Sequence, residues 1–169
     1  MAKSNLGRVY LAEDTTRNLV VEMPKVLVLY YSRTGNTEKM AKSVAEGVRS
    51  VQGVDVELKY DVTSEELAGA DAIIIGVPTY HHDMAMYMKT LLEETASKGT
   101  SLKGKVGAAF GSYGWSGEAP RLVLEVLENK FEMKTLKPPL LIKYAPDEKG
   151  LEECRRMGRL VAEQVVRSS

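Results

Sequence analysis

Six residues, Ser32-Arg33-Thr34-Gly35-Asn36-Thr37, stand between an apolar run and an amphipathic one, and they constrain the fold more than any other segment. The run before them, Lys25-Val26-Leu27-Val28-Leu29-Tyr30-Tyr31, is β-branched, aromatic and aliphatic, and predicts a parallel strand buried on both faces. After them, Met40, Val44, Val48 and Val51 recur at helical spacing and form one apolar stripe. A strand that turns at Gly35 into a helix aims backbone N–H groups and hydroxyls into one concavity, where a phosphate dianion is stabilised. The run has neither the lysine of a nucleoside-triphosphate loop nor the three spaced glycines of a dinucleotide fingerprint. A terminal monophosphate therefore fits it better than a triphosphate or a bridging pyrophosphate. Taken alone, the hexapeptide also allows an ordinary βα loop with an Asn or Thr helix cap.

The alternation continues along the chain. Val54–Tyr60 alternates apolar and charged residues, as an edge strand does, and the acidic segment Ser64–Leu67 leads to a buried central strand, Ala72–Val77. Met84, Met88, Leu91 and Leu92 mark the next helix, Lys105–Phe110 the fourth strand, and Leu122, Val123, Val126 and Leu127 the helix after it. A fifth strand lies within Phe131–Tyr144, broken near the sheet edge by Pro138-Pro139, which cannot donate ladder hydrogen bonds. The last helix is acidic early (Asp147, Glu148, Glu152, Glu153) and basic late (Arg155, Arg156, Arg159, Arg167), which complements its dipole. Alternating strands and helices with short connections predict an α/β three-layer sandwich around a parallel sheet.

In such a sheet the ligand sits beyond the carboxyl ends of the strands, where strand order reverses. Three loops should meet there: Ser32–Thr37, Val77–Asp83 and Gly111–Gly117. The second contains Pro78-Thr79-Tyr80-His81-His82, the third Gly111-Ser112-Tyr113-Gly114-Trp115-Ser116-Gly117. A planar ring held between Tyr80 and Trp115, with main chain near Gly111, Gly114 and Gly117 meeting its polar rim, suits a flavin. The competing reading packs Trp115 on the following helix and uses the glycines only for turns. No glycine stands between Pro78 and Asp83, so a positive φ there should cost on the order of 1–2 kcal/mol more than at a glycine.

Composition limits the partners. The chain has 169 residues, 44% of them hydrophobic, enough for one full core, and its formal net charge of +0 offers no field for nucleic acid. One cysteine excludes an intrachain disulfide, and no run is long enough to span a bilayer, so a cytoplasmic protein without membrane insertion is expected. Cys154 shares a helical face with Leu151, Val161 and Val165 and reads as a buried structural thiol. Adjacent His81 and His82, without a nearby Cys or carboxylate pair, make a poor metal site, and no metal is expected.

These segments carry a family resemblance. V-L-V-L-Y-Y-S-R-T-G-N-T-E-K-M-A resembles the flavodoxin phosphate loop. P-T-Y and F-G-S-Y-G-W-S-G-E-A resemble the flavin-contacting loops of the flavodoxin-like domain of flavodiiron proteins. The resemblance runs from about Pro24 to Arg167 and is most specific at Gly111–Ala119. It implies a flavodoxin-like fold with five parallel strands in the order 2-1-3-4-5. It also implies non-covalent FMN, with phosphate contacts from Ser32, Arg33, Thr34, Gly35, Asn36 and Thr37. Ring contacts would come from Pro78, Thr79, Tyr80, His81, Ser112, Tyr113, Gly114, Trp115 and Gly117.

The departures are equally specific. Two histidines and this chain length leave no room for the iron-binding domain of flavodiiron proteins, so the electron-transfer half is expected to stand alone. Flavodoxins are commonly acidic, and this chain is not. The resemblance implies a carrier of low-potential electrons between iron–sulfur or flavin enzymes. The alternative is an NAD(P)H-dependent FMN reductase of quinones or iron–sulfur centres, although no nicotinamide pocket is recognisable. A phosphoacceptor receiver of similar layout fails, because the third strand ends in Gly76-Val77-Pro78 rather than an aspartate.

Residues 1–23 fall outside the resemblance and form an expected extension to the domain at 24–169. Arg8–Ala12 and Asn18–Glu22 are strand-like runs around Glu13–Arg17, predicting a hairpin. A lone hairpin is marginal in water. Its apolar positions Val9, Leu11, Leu19 and Val21 call for cover, and exchange between two copies would supply it, predicting a homodimer with the flavin sites near the interface.

Overall fold

The computed structural model describes residues 9–14 and 17–168, with side chains described from Glu22 onward. Strands β1 (Val9–Asp14) and β2 (Arg17–Glu22) pair antiparallel from Val9↔Glu22 to Asp14↔Arg17 as a two-stranded sheet of their own. The expected hairpin is present over these strands. Glu13, Asp14 and Arg17, expected in the turn, pair within the strands instead, while Arg8, residues 15–16 and the side chains of Val9, Leu11, Leu19 and Val21 lie outside the described residues.

The main sheet is parallel throughout. It comprises β3 (Lys25–Tyr30), β4 (Asp55–Lys59), β5 (Ala72–Gly76), β6 (Val106–Tyr113), β7 (Lys134–Thr135) and β8 (Leu140–Lys143). Its order is β4-β3-β5-β6-β7, with β8 also on β6. Counted from β3, this is 2-1-3-4-5 with the last strand in two pieces. Lys137-Pro138-Pro139 leave the ladder between those pieces, because neither proline has an N–H to give.

Element boundaries differ from expectation at three places: the first helix already begins at Asn36 within the first predicted loop, the helix predicted from Met84 begins after it, and the fourth predicted strand is longer. Strand β6 runs past Phe110 to Tyr113, because β8 supplies partners for it, from Phe110↔Leu140 to Tyr113↔Lys143. Gly111, Ser112 and Tyr113 are therefore strand residues, and the third loop proper begins at Gly114. The acidic segment after β4 is a short helix, α2 (Ser64–Ala68), closed by a capping box between Thr63 and Glu66.

Helices α1 (Asn36–Arg49) and α5 (Glu148–Ser168) cover one face of the sheet; α3 (Met86–Ser97) and α4 (Glu118–Asn129) cover the other. Alternate residues of β3 serve the two layers: Val26 and Val28 face α1 and α5, Leu27 and Leu29 the opposite core. All four are at most 1% exposed, and each such side chain contributes about 1.5–3 kcal/mol. Met84 precedes α3 rather than belonging to it, its N–H bonded to Asp83 Oδ1 at 2.8 Å. Glycines let α1 and α5 cross closely: a Cβ on Gly158 would stand 2.0 Å from the Val44 carbonyl oxygen, and one on Gly47 1.9 Å from that of Arg155. Cys154 is buried at this crossing layer, and burial pushes its thiol up to about 12.

Candidate functional site

The carboxyl ends of β3, β5 and β6 come together at one edge of the sheet. A concavity of about 220 Å³ opens there, lined by Ser32, Arg33, Thr34, Asn36 and Thr37, by Pro78, Thr79 and Tyr80, and by Ser112, Tyr113 and Gly114. Residues from all three predicted segments thus share one wall. Tyr144 completes it.

The first segment is built around Gly35, whose φ of 91° only glycine adopts without strain. A side chain at Gly35 would have open space, so conformation and not crowding demands glycine here. Ser32 Oγ accepts from the Gly35 N–H at 3.1 Å, and the Gly35 carbonyl accepts from Lys39 N at 3.1 Å. No side chain caps α1, so its first N–H groups face the concavity with the positive end of the helix dipole behind them. Thr37 is 2% exposed, and its Oγ1 is a distant 3.5 Å acceptor for Ser112 N, which joins the first segment to β6.

The second segment makes a tight turn. Tyr80 and Asp83 exchange two backbone hydrogen bonds of 2.8 Å, and the two residues between them, His81 (φ 47°) and His82 (φ 64°), are both left-handed. The backbone therefore takes positive φ without glycine, against the expectation. A two-residue connection between paired residues demands this primed geometry, and the Tyr80–Asp83 pairing holds it. Two further contacts fasten the turn to α4: Ala119 N donates to Thr79 Oγ1 at 3.0 Å, and His82 Nδ1 meets Glu118 Oε1 at 2.9 Å. Ser116 Oγ stands 3.1 Å from the same His82 nitrogen. Hydrogen bonds from Ser116 and His82 hold the Glu118 carboxyl down to about 2. Its Oε2 is buried without a hydrogen-bond partner.

The aromatic residues divide by exposure. Trp115 is 91% exposed, so it does not pack on α4, and its ring is available to a planar ligand. Tyr80 is half-buried. Burial and Tyr31 push its phenol up, while Arg33 pulls it the other way. Gly35, His81, Gly111, Trp115 and Gly117 are not on the concavity wall. The room left by Gly111 is filled by protein: a Cβ there would stand 1.9 Å from the Val77 carbonyl oxygen and 2.8 Å from Pro120 Cγ. Gly111 is thus required for the close approach of the Val77 backbone to β6. A Cβ on Gly117 would meet only side-chain atoms, Leu141 Cδ1 at 3.1 Å and Tyr113 Cδ1 at 3.5 Å.

Tyr144 escaped the sequence reading. It follows β8 with φ 60°, and its carbonyl accepts from Ser112 Oγ at 2.8 Å. The signal was available: it ends a strand predicted to lie beside the fourth, and strand ends at this edge line the site. A larger concavity of about 380 Å³, lined by Pro24, Asp71, Lys103, Lys105 and Lys134, lies at the opposite strand ends and shares no wall with this one.

The donors fit an aromatic monophosphate. An uncapped helix N-terminus, hydroxyls and Arg33 suit a terminal phosphate; a half-buried tyrosine and an exposed tryptophan suit a flat ring beside it. Comparison with known proteins agrees. Residues 28–158 match the sequence model of the Flavodoxin family. A flavodoxin of Aquifex aeolicus (strain VF5) is 36% identical over an alignment 166 positions long that covers 85% of this chain and 88% of that one. The structure of a flavodoxin from the domain Archaea is 40% identical with a TM-score of 0.78, over 84% of this chain and 99% of the other. A flavodiiron core from Synechocystis sp. PCC6803 is 27% identical with a TM-score of 0.74, over 87% of this chain but only 37% of its own.

Proposed function

The chain belongs to the flavodoxin family and is an FMN-binding electron-transfer flavoprotein; we propose that it holds the cofactor in the concavity just described and works as a cytoplasmic one-electron carrier. The observation that carries this reading is the convergence of three segments on one small concavity behind the uncapped N-terminus of α1. Bound FMN supplies a ring that accepts and returns single electrons. The residues of this chain bind and orient it. Ser32, Thr34, Asn36 and Thr37, with Arg33 and the α1 N–H groups, take the phosphate. Tyr80 and Trp115 flank the ring, and the backbone of Ser112–Gly114 meets its polar rim.

The exposed Trp115 side is where a partner protein would approach, since electrons pass fastest over the shortest gap. Iron–sulfur or flavin enzymes are the partners in this reading. Among the described residues no helix is long and apolar enough to cross a membrane, which is compatible with exchange between soluble partners. Mixing the FMN-loaded protein anaerobically with NADH, NADPH or a reduced iron–sulfur protein tests the carrier role. Reduction by the iron–sulfur protein and not by the nucleotides supports a carrier. Direct bleaching by a nucleotide would make the protein a reductase instead.

A further inference from the structure

Five of the chain's eight tyrosines form one network of ring contacts that starts at the cofactor site and runs outward. Tyr80, on the wall of the concavity, meets Tyr31 edge-on at 6.4 Å between ring centroids. Tyr31 stacks on Tyr87 at 6.4 Å and lies 5.7 Å from Tyr60. Tyr60 is 46% exposed and stacks in turn on Tyr87 at 6.5 Å. Packing alone would be served as well by phenylalanine, of which the chain has two.

The hydroxyls distinguish the network. Tyr87 donates to Asp61 Oδ1 at 2.6 Å, while Val62 N donates to the Tyr87 oxygen at 3.1 Å. A phenol that already points its proton at a carboxylate is prepared to lose electron and proton together. Burial and the bond to Asp61 push the Tyr87 phenol up to about 12, so the proton stays in place until an electron leaves.

We propose that Tyr80, Tyr31 and Tyr87 form an exit route for oxidising equivalents from the cofactor site, ending on Tyr87 with Asp61 as proton acceptor. This rests on the placement of FMN beside Tyr80. The oxidant is the isoalloxazine excited by blue light. Tyr80 gives it one electron, Tyr31 refills Tyr80, and Tyr87 refills Tyr31. The Tyr87 O–H bond breaks and its proton passes to Asp61 Oδ1. The net change is one electron gained by the ring, one electron and one proton lost by Tyr87, and a neutral Asp61 carboxyl. Tyr60, in contact with both Tyr31 and Tyr87 and open to solvent, lets a soluble reductant restore the chain. Ordinary carrier turnover does not enter this route, because a low-potential flavin is far too weak an oxidant for a phenol.

The test is transient absorption of the FMN-loaded protein after a blue flash, comparing wild type with Tyr31→Phe, Tyr87→Phe and Asp61→Asn. Visible absorption and FMN titration first establish loading in each. The proposal expects a tyrosyl radical in wild type whose recombination is slowed in D2O. Each of the three variants should shorten its lifetime at least ten-fold and abolish the isotope effect, with FMN still bound. FMN bound in all four proteins with the same radical lifetime overturns the route and leaves the cofactor assignment intact. A protein that fails to load FMN overturns both.

Discussion

His82 Nδ1 stands 2.9 Å from Glu118 Oε1, tying the turn at Tyr80–Asp83 to the first turn of α4. With the Thr79–Ala119 bond it fixes where Tyr80 sits relative to the third segment. The His82 ring is largely open to solvent, which screens the pair and makes it a weak clasp. His82→Ala should weaken FMN binding by at most about five-fold and leave the unfolding midpoint nearly unchanged. Fluorescence titration checks this. A loss of a hundred-fold would mean that His82 touches the cofactor itself.

Acid should release the same clasp. Glu118 is held at about 2, below its ordinary 4.5, so its contribution is present above 4.5 and disappears as pH falls toward 2. Denaturation midpoints between about pH 5 and about pH 3 should therefore fall more steeply in wild type than in Glu118→Gln. Parallel slopes in the two proteins would place the acid sensitivity elsewhere.

The α1–α5 crossing predicts a sharp contrast between glycines. Gly158→Ala would drive its methyl into the Val44 carbonyl at 2.0 Å, a rigid backbone obstacle. The expected loss is about 1–3 kcal/mol or more, read as a lower denaturation midpoint at unchanged slope. Gly107→Ala on β6 meets side-chain atoms of Met133, Leu127 and Thr135, at 3.1, 3.4 and 3.6 Å, and should cost less. Equal losses would show that the two helices can shift apart cheaply.

The hairpin of β1 and β2 forms a sheet separate from the main one, and an isolated hairpin is marginal in water. With a formal charge of +0 there is no net repulsion between copies. We expect a homodimer that uses the hairpin. Light scattering on the intact protein and on a chain beginning at Pro24 tests it. The intact protein should be dimeric and the shortened one monomeric; a monomeric intact protein contradicts the idea.

Local pattern carried most of the fold. The apolar runs at Lys25–Tyr31 and Ala72–Val77 and the stripe from Met40 to Val48 became buried strands and a helix because period and burial agree there. Three features depended on which residues pair or pack together rather than on local propensity, and were not legible. Strand β6 reached Tyr113 only because β8 pairs with it. The left-handed His81 and His82 follow from the Tyr80–Asp83 pairing, which no local propensity encodes. The need for glycine at Gly111 comes from the Val77 carbonyl, which a Cβ there would meet at 1.9 Å, a neighbour that the sequence around Gly111 does not name.

The central claim is that the Ser32–Thr37 segment holds the phosphate of FMN, and the most direct measurement compares FMN with riboflavin on the same apoprotein. FMN should bind one-to-one and far more tightly than riboflavin, which lacks the phosphate. Replacing Thr34 and Asn36 together by Ala removes charge-assisted hydrogen bonds worth about 1.5–3 kcal/mol each. FMN affinity should then fall at least about a hundred-fold while riboflavin affinity stays unchanged. Undiminished FMN affinity in that double variant, or riboflavin bound as tightly as FMN by wild type, would contradict the account.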